Sequence, residues 1–163
     1  MNAAPPPTID SHAAFAAALA WGFQEAVAQG ARRIVCCDGD FSQWAWDDAA
    51  TLDTLGAWLR LPQRRLVLLA QRYDQVPRRW PRFNAWRRDL GHAISAWQPA
   101  AESAPDLPSL LVADKAVSVH LIDAVRWRGR AQLDERGARR WCEHIDAVLQ
   151  RSEPAFAVSM LGL

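Results

Sequence analysis

The chain contains, at residues 32–42, the stretch RRIVCCDGDFS, in which a short apolar run ends at two acids that flank a glycine. An apolar run of this length that stops at a loop signal is typical of a buried strand. Ligands of open α/β sheets collect at the carboxyl ends of the strands. The stretch therefore predicts a buried strand, and it places a small-molecule site near Asp38 and Asp40.

Outward from this strand, apolar residues recur with a helical period on both sides, and a second apolar run covers residues 65–70. A strand–helix–strand order of this kind implies a right-handed parallel crossover. The period changes to two at residues 109–121, which indicates an antiparallel hairpin. We expect one α/β domain over residues 9–163, with a mixed, largely parallel sheet flanked by helices, after a flexible N-terminal arm at residues 1–8.

The composition favours a single domain with a local excess of positive charge. The chain has 163 residues, half of them apolar, and a net charge of only +1. Residues 60–88 nevertheless contain nine arginines and a single acid, Asp74. Three cysteines without a paired spacing are typical of a reducing compartment, and the sequence has no signal peptide and no membrane-spanning run. We therefore expect a cytoplasmic protein without a membrane partner.

The pair Asp38 and Asp40 supports two interpretations. The Asp-x-Asp spacing after a strand resembles the motif of haloacid-dehalogenase-like phosphatases, which implies a nucleophile at Asp38 and a general acid at Asp40, both beside Mg²⁺. The second strand, however, ends in Ala70-Gln71-Arg72, where that family has a Ser or Thr. In the other interpretation, the two carboxylates accept hydrogen bonds from backbone N–H groups in a loop turn.

A second group of candidate ligand-binding residues comes from the hairpin and the strand after it. Side chains alternate along a strand, so three arginines in alternate positions share one face, and so do Ser118 and His120 on the preceding strand. Guanidinium groups favour carboxylate or phosphate ligands. The predicted ligand-binding set, which includes no metal, is Asp38, Asp40, Arg72, Ser118, His120, Arg126, Arg128 and Arg130.

The length of the turn before this last strand follows from the side-chain pattern. Directly opposed residues of an antiparallel pair lie on one face of the sheet. A two-residue turn at Asp123 and Ala124 would pair Leu121 with Arg126 and would place arginines on the apolar face, where an unpaired charge is costly. We therefore predict a turn of three or four residues around Asp123, and a polar face on which arginines lower the pKa of His120.

The segment at residues 78–88 supports nucleic-acid binding as an alternative function. Trp80, Trp86 and Trp97 are interleaved with five arginines in and around this segment. Aromatic rings in a basic groove are typical of proteins that bind single-stranded nucleic acid by stacking. The opposing interpretation places the tryptophans in the core and the arginines in solvent, and it makes a nucleic-acid partner the less favoured expectation.

The order of elements resembles one half of a phospholipase D-like enzyme. In that family a strand carries His-x-Lys-x4-Asp and leads into a hairpin that continues towards a Gly-Ser pair. Here Asp114 matches the Asp, Leu107 and Ser109 occupy the His and Lys positions, and Leu121-Ile122 occupies the Gly-Ser position. The resemblance implies a phospholipase D-like half with a C-terminal antiparallel hairpin, in which the catalytic histidine and lysine are replaced.

These replacements favour a catalytically inactive binding or assembly domain that needs no cofactor. Leucine cannot attack phosphorus and serine cannot neutralise it, so transfer through a histidine nucleophile has no basis here. The predicted partner is an anionic small molecule or an acidic protein surface. Phospholipase D-like halves pack as pairs, and the chain has nine tryptophans, so we also expect a homodimer formed through exposed aromatic surface. A metal-assisted hydrolase using Asp38 and Asp40 and a nucleic-acid-binding module are the alternatives.

Overall fold

The computed structural model describes residues 5–100 and 106–157, which form one eight-stranded mixed sheet with helices on both faces. The strands are β1 (Thr8–Ile9), β2 (Arg33–Asp38), β3 (Arg65–Ala70), β4 (Ile94–Pro99), β5 (Ser109–Ala113), β6 (Val117–Asp123), β7 (Arg128–Leu133) and β8 (Ser152–Pro154). Their order across the sheet is β1-β7-β6-β5-β2-β3-β4-β8. Residue 8 of the predicted N-terminal arm belongs to β1, and residues 1–4 of that arm lie outside the described residues.

In the described part of the chain, five helices connect or follow these strands. They are α1 (His12–Ala28), α2 (Ala49–Leu59), α3 (Val76–Arg79), α4 (Pro81–Asp89) and α5 (Glu135–Leu149). Side-chain caps begin the first two, because Ser11 Oγ and the Asp48 carboxylate accept hydrogen bonds from backbone N–H groups of the first turn. A glycine at φ +74°, Gly30, follows the end of α1.

The largely parallel sheet predicted from the sequence and from the phospholipase D-like resemblance is wrong. Only β2–β3 and β3–β4 pair in parallel, and the other five neighbouring pairs of the described sheet are antiparallel. Short turns account for two of these pairs, β5–β6 and β6–β7, because a turn of a few residues cannot make a parallel crossover. The pairs β1–β7, β2–β5 and β4–β8 join strands that are distant in the sequence, and no local connection sets their direction. The sheet is therefore mixed and mostly antiparallel, with a parallel centre at β2, β3 and β4.

The sheet separates two layers of core, one on each face. Ile34 and Cys36 of β2 face the layer that contains α1, α2 and α4, while Val35 and Cys37 face α5. The predicted parallel pairing of two buried strands at residues 33–38 and 65–70 is confirmed, because Val35 pairs with Val67 in parallel and both are buried, as is Leu69. The alternation of side chains along β2 thus supplies both layers from one short run.

The loop between β2 and α2 fills the first layer with aromatic rings. Phe41, Trp44 and Trp46 are all buried, and Phe41 adopts a positive φ of 61°. The rings of Trp44 and Trp46 stack at 5.6 Å, and the Trp80 indole N–H donates a hydrogen bond to the Phe41 carbonyl at 2.9 Å. Through this hydrogen bond, the loop after β2 is held against Trp80, the residue between α3 and α4.

Gly129 lies where β7 approaches the backbone of β6. A Cβ atom at this position would collide with the carbonyl oxygen of His120 and would lie 3.0 Å from the Cα of Leu121. We expect Gly129→Ala to lower the free energy of unfolding by about 1–3 kcal/mol, because the backbone of one strand must shift to accept the methyl group. Urea denaturation measures this loss. Gly39→Ala is the matched control, since a Cβ there meets no atom within 4 Å, and an equal loss in both variants would contradict the close approach.

Candidate functional site

The carboxylate of Asp38 is saturated by hydrogen bonds from the protein itself. Its Oδ2 accepts the backbone N–H groups of Asp40 at 3.1 Å and Phe41 at 2.8 Å, and its Oδ1 accepts the Ser109 hydroxyl at 2.6 Å. These bonds hold the loop after β2 against β5, the strand that neighbours β2 in the sheet. The geometry matches the loop-turn interpretation of Asp38, in which the carboxylate orders the backbone.

Asp40 and Arg72 meet loosely at the same end of the sheet. Asp40 Oδ1 accepts the backbone N–H of Ser42 at 2.9 Å, and its Oδ2 lies 3.8 Å from Arg72 Nη2. The Arg72 side chain is 73% exposed, so this pair is a weak surface contact. Among the described residues, no group of three or more His, Cys, Asp or Glu side chains is arranged to hold a metal ion. The structure therefore brings Asp38, Asp40 and Arg72 to the same end of the sheet, and the metal-assisted hydrolase stays a prediction.

The positions that match the phospholipase D-like motif also have structural partners. Ser109 donates to Asp38, and Asp114 accepts the backbone N–H of Arg32 through both oxygens, at 3.1 and 3.3 Å. Leu107 packs against the core layer beneath α5. None of these three side chains is the histidine that the family uses as its nucleophile, and the Ser109 hydroxyl and the Asp114 carboxylate are engaged in structural hydrogen bonds.

The turn between β6 and β7 has four residues, 124–127, within the length that the alternation predicted. Asp123 orders it, because its Oδ1 accepts the backbone N–H groups of Val125 and Arg126, both at 3.0 Å. The predicted position of Arg126 in the strand after the hairpin is wrong, because that strand, β7, begins at Arg128 and Arg126 lies in the turn. Only Arg128 and Arg130 of the three arginines are therefore strand residues, opposite Asp123 and His120.

His120 lies on the α5 face of the sheet, opposite to the Val119 face, as predicted. It pairs with Leu110 and Arg130 across the two neighbouring strands, and its ring meets the edge of Trp141 at 4.8 Å. Ser118 lies two residues earlier on the same face and is buried. Burial lowers the pKa of His120. The predicted cause, repulsion by arginines, is wrong because the ring is half-covered by Trp141 of α5 while the arginines extend into solvent.

The lowered pKa of His120 predicts a pH-dependent stability. The unfolded chain binds a proton on this histidine at a higher pH than the folded chain does, so its contribution is complete above about pH 6.5 and is lost as the pH falls through the folded-state pKa. We expect the free energy of unfolding to decrease from about pH 7.5 to about pH 5, a range that brackets the ordinary histidine pKa of about 6.5. Urea denaturation at both values checks this. In His120→Gln the decrease is smaller, and an identical decrease in both proteins would contradict the assignment.

A polar cleft of about 510 Å³ lies between β7 and α5, next to His120. Its lining includes Arg130 of β7 and Arg140, Trp141 and His144 of α5. The sequence interpretation placed Arg130 in the ligand-binding set but missed Arg140 and His144. The signal for these two was their spacing of four residues, which places them on the same side of a helix. An anionic small ligand at this cleft stays a prediction.

The stacking platform considered for residues 78–88 does not form. Trp80 and Trp86 are partly buried and pack against the first core layer, while Trp97 packs on the α5 side and donates its indole N–H to Ser95 Oγ at 3.1 Å. The three tryptophans are thus half-buried against the core, which favours the opposing interpretation. Among the described residues, the large apolar side chains that are exposed are Leu61, Ile122 and Val125. None of them is aromatic, so the prediction of an exposed aromatic surface is wrong. The homodimer itself stays a prediction.

The arginines of this segment form an exposed cationic surface on α3 and α4. In α4, residues 81, 82, 85, 88 and 89 are exposed and recur with the helical period, while Phe83 and Arg87 point inward. We define the arginine surface as Arg78, Arg79, Arg82 and Arg88. Within residues 5–100 and 106–157, none of these four forms a salt bridge. The surface thus carries four exposed guanidinium groups, with the exposed Asp89 on the same face of α4, in a protein whose net charge is +1.

Comparison with known proteins gives a fold relationship. No family model matches the chain, and no curated protein matches it; the phospholipase D-like resemblance stays a prediction. The fold is similar to the solved structure of TrmBL2, an archaeal chromatin protein described as showing a novel mode of DNA binding, with a TM-score of 0.60 and 11% sequence identity. The match covers 91% of this chain and 54% of that one. No helix in the described part of the chain has the length and apolarity to cross a membrane.

Proposed function

We propose that this chain is a non-enzymatic domain that binds nucleic acid by holding its phosphate backbone on the arginine surface. The observation that carries the proposal is the exposure of Arg78, Arg79, Arg82 and Arg88, none of which forms a salt bridge with a carboxylate in the described part of the chain. Guanidinium groups form charge-assisted, often bidentate hydrogen bonds with phosphate oxygens. Release of counterions from the nucleic acid adds to the affinity of such a cationic surface.

The mode of binding follows from where the tryptophans lie. Trp80 and Trp86 pack against the core, so their rings are not free to stack on unpaired bases. Phosphate contacts fix the position of a protein on nucleic acid but carry no sequence information. We therefore expect binding to duplex DNA with little dependence on sequence, and no marked preference for single strands.

The fold comparison supports the proposal to a limited degree. TrmBL2, which shares this fold, is described as a DNA-binding chromatin protein, but this chain spans only 54% of it at 11% identity. A fold hosts many functions, and function is argued from the residues of a site. The exposed arginines therefore carry more of the argument than the shared fold does.

Equilibrium binding of labelled DNA tests this function. Fluorescence anisotropy with two duplexes of unrelated sequence, and with one single strand of equal length, should give affinities that differ by less than about fivefold at low salt. A preference for single strands of about 100-fold would favour stacking by aromatic rings and would contradict the proposed mode. Absence of binding to all three at low salt would contradict the function.

A further inference from the structure

Arg87 differs from the other arginines of α4 because it is buried. It lies on the inner side of the helix, four residues after Phe83, and only 4% of its surface is exposed. Within the described residues it is the only Asp, Glu, Lys or Arg side chain in the buried class. Charged side chains are rarely buried unless they are paired, so a negatively charged partner is expected beside Arg87.

The described part of the chain supplies no negative partner for Arg87. It forms no salt bridge, and its Nε atom is buried without a hydrogen-bond partner. The carbon of its guanidinium instead lies 3.9 Å from the centre of the Phe156 ring, whose plane stacks on Tyr73 at 4.9 Å. Burial lowers the pKa of Arg87, as expected for a cation taken from water without a carboxylate beside it.

A cleft of about 680 Å³ lies beside this guanidinium, between α4, β4 and β8. Its polar lining consists of Arg87, Arg88, Asp89, His92 and Ser95, and its apolar lining includes Ile94, Ala96, Trp97 and Pro154. Asp89 is exposed and forms no salt bridge with Arg87 within residues 5–100 and 106–157. The cleft therefore combines one buried cation with apolar walls.

We propose that this cleft is a binding site for a small organic carboxylate, whose carboxylate group pairs with Arg87 and whose apolar body contacts Ile94 and Ala96, which lie on the same face of β4 as Arg87. The stack of Tyr73 and Phe156 holds the guanidinium plane from one side and leaves its N–H groups for a planar, bidentate anion. A monoanion matches the single buried charge of Arg87, since the exposed Arg88 and Asp89 at the rim carry opposite charges. The site is independent of the nucleic-acid-binding function, although Arg88 borders both surfaces.

Benzoate is a suitable probe, because it joins a carboxylate to an apolar ring. At constant ionic strength, we expect benzoate to raise the thermal midpoint of the wild-type protein and to shift the NMR signal of the Arg87 Nε–H group, since a ligand that binds the folded state stabilises it. Equal concentrations of chloride and inorganic phosphate should leave the NMR signal of the Arg87 Nε–H group unchanged, although phosphate raises the thermal midpoint of folded proteins generally. If phosphate gives the same NMR shift, or if benzoate gives none, the proposed carboxylate site is wrong.

Two variants separate the buried cation from ordinary surface charge. Arg87→Met removes the charge at similar length and should abolish the stabilisation by benzoate, whereas Arg136→Gln, at an exposed position of α5 outside the cleft, should retain it. Arg87→Lys serves if the methionine variant does not fold, and it should weaken benzoate binding about tenfold because the bidentate fork is lost. Equal stabilisation of Arg87→Met and wild type would overturn the proposal. DNA binding measured in parallel should persist in Arg87→Met, so failure of one proposal remains distinguishable from failure of the other.

Discussion

Replacement of both Arg78 and Arg82 by glutamate is expected to weaken duplex DNA binding about 100-fold at low salt. The change removes two of the four guanidinium groups of the arginine surface and places two carboxylates opposite the phosphates. Both side chains are exposed, so the variant should fold as the wild type does. Fluorescence anisotropy with one labelled duplex measures the affinity, and a thermal melt checks the fold.

The matched control is the same charge change on the opposite face of the sheet. Arg136 and Arg139 are exposed on α5, which covers the second core layer. Arg136→Glu combined with Arg139→Glu alters the net charge equally, so it should reproduce only the small, long-range part of the effect. If the α5 variant weakens binding as much as the α3–α4 variant, the affinity reflects the charge of the whole molecule and not a defined surface.

The second large effect is expected in the core, where Leu69→Ala should lower the free energy of unfolding by about 2–5 kcal/mol. Leu69 has 0% of its surface exposed, and it lies in β3 between Cys37 of β2 and Trp97 of β4. Truncation there loses buried apolar surface and leaves a cavity that the surrounding parallel strands cannot close. Urea denaturation of both proteins gives the difference.

Leu61→Ala provides the control for this prediction. Leu61 follows α2 and is 49% exposed, so the same chemical change removes much less buried surface. We expect its cost to stay below about 1 kcal/mol. Similar costs in the two variants would mean that β3 is not the buried centre of the sheet.

The centre of the fold could be predicted from sequence because its signals are local. The apolar runs that became β2 and β3 predict buried strands, and the helix between them predicts their parallel pairing. The direction of the remaining strands depends on which of them become neighbours in space. Nothing in the sequence of β5 indicates that Val112 pairs antiparallel with Val35, and β1 and β8 are too short to show a period.

The candidate site was predictable to a smaller extent. The inward positions of Phe83 and Leu90 follow from the helical period, and so does the outward position of Arg82. The burial of Arg87 could not be predicted, because a charged residue on an apolar stripe usually extends its head to solvent. The cleft beside His120 also required the fold, since it joins Arg130 of β7 to Arg140 of α5.

The dependence of duplex affinity on salt is the most direct test of phosphate binding by the arginine surface. For four phosphate contacts we expect the logarithm of the binding constant to fall linearly with the logarithm of the salt concentration, with a slope of about −3.6. In the variant with glutamate at Arg78 and Arg82, the slope should shrink to about −2. A slope near zero in the wild-type protein, or the same slope in both proteins, would contradict phosphate recognition by these arginines.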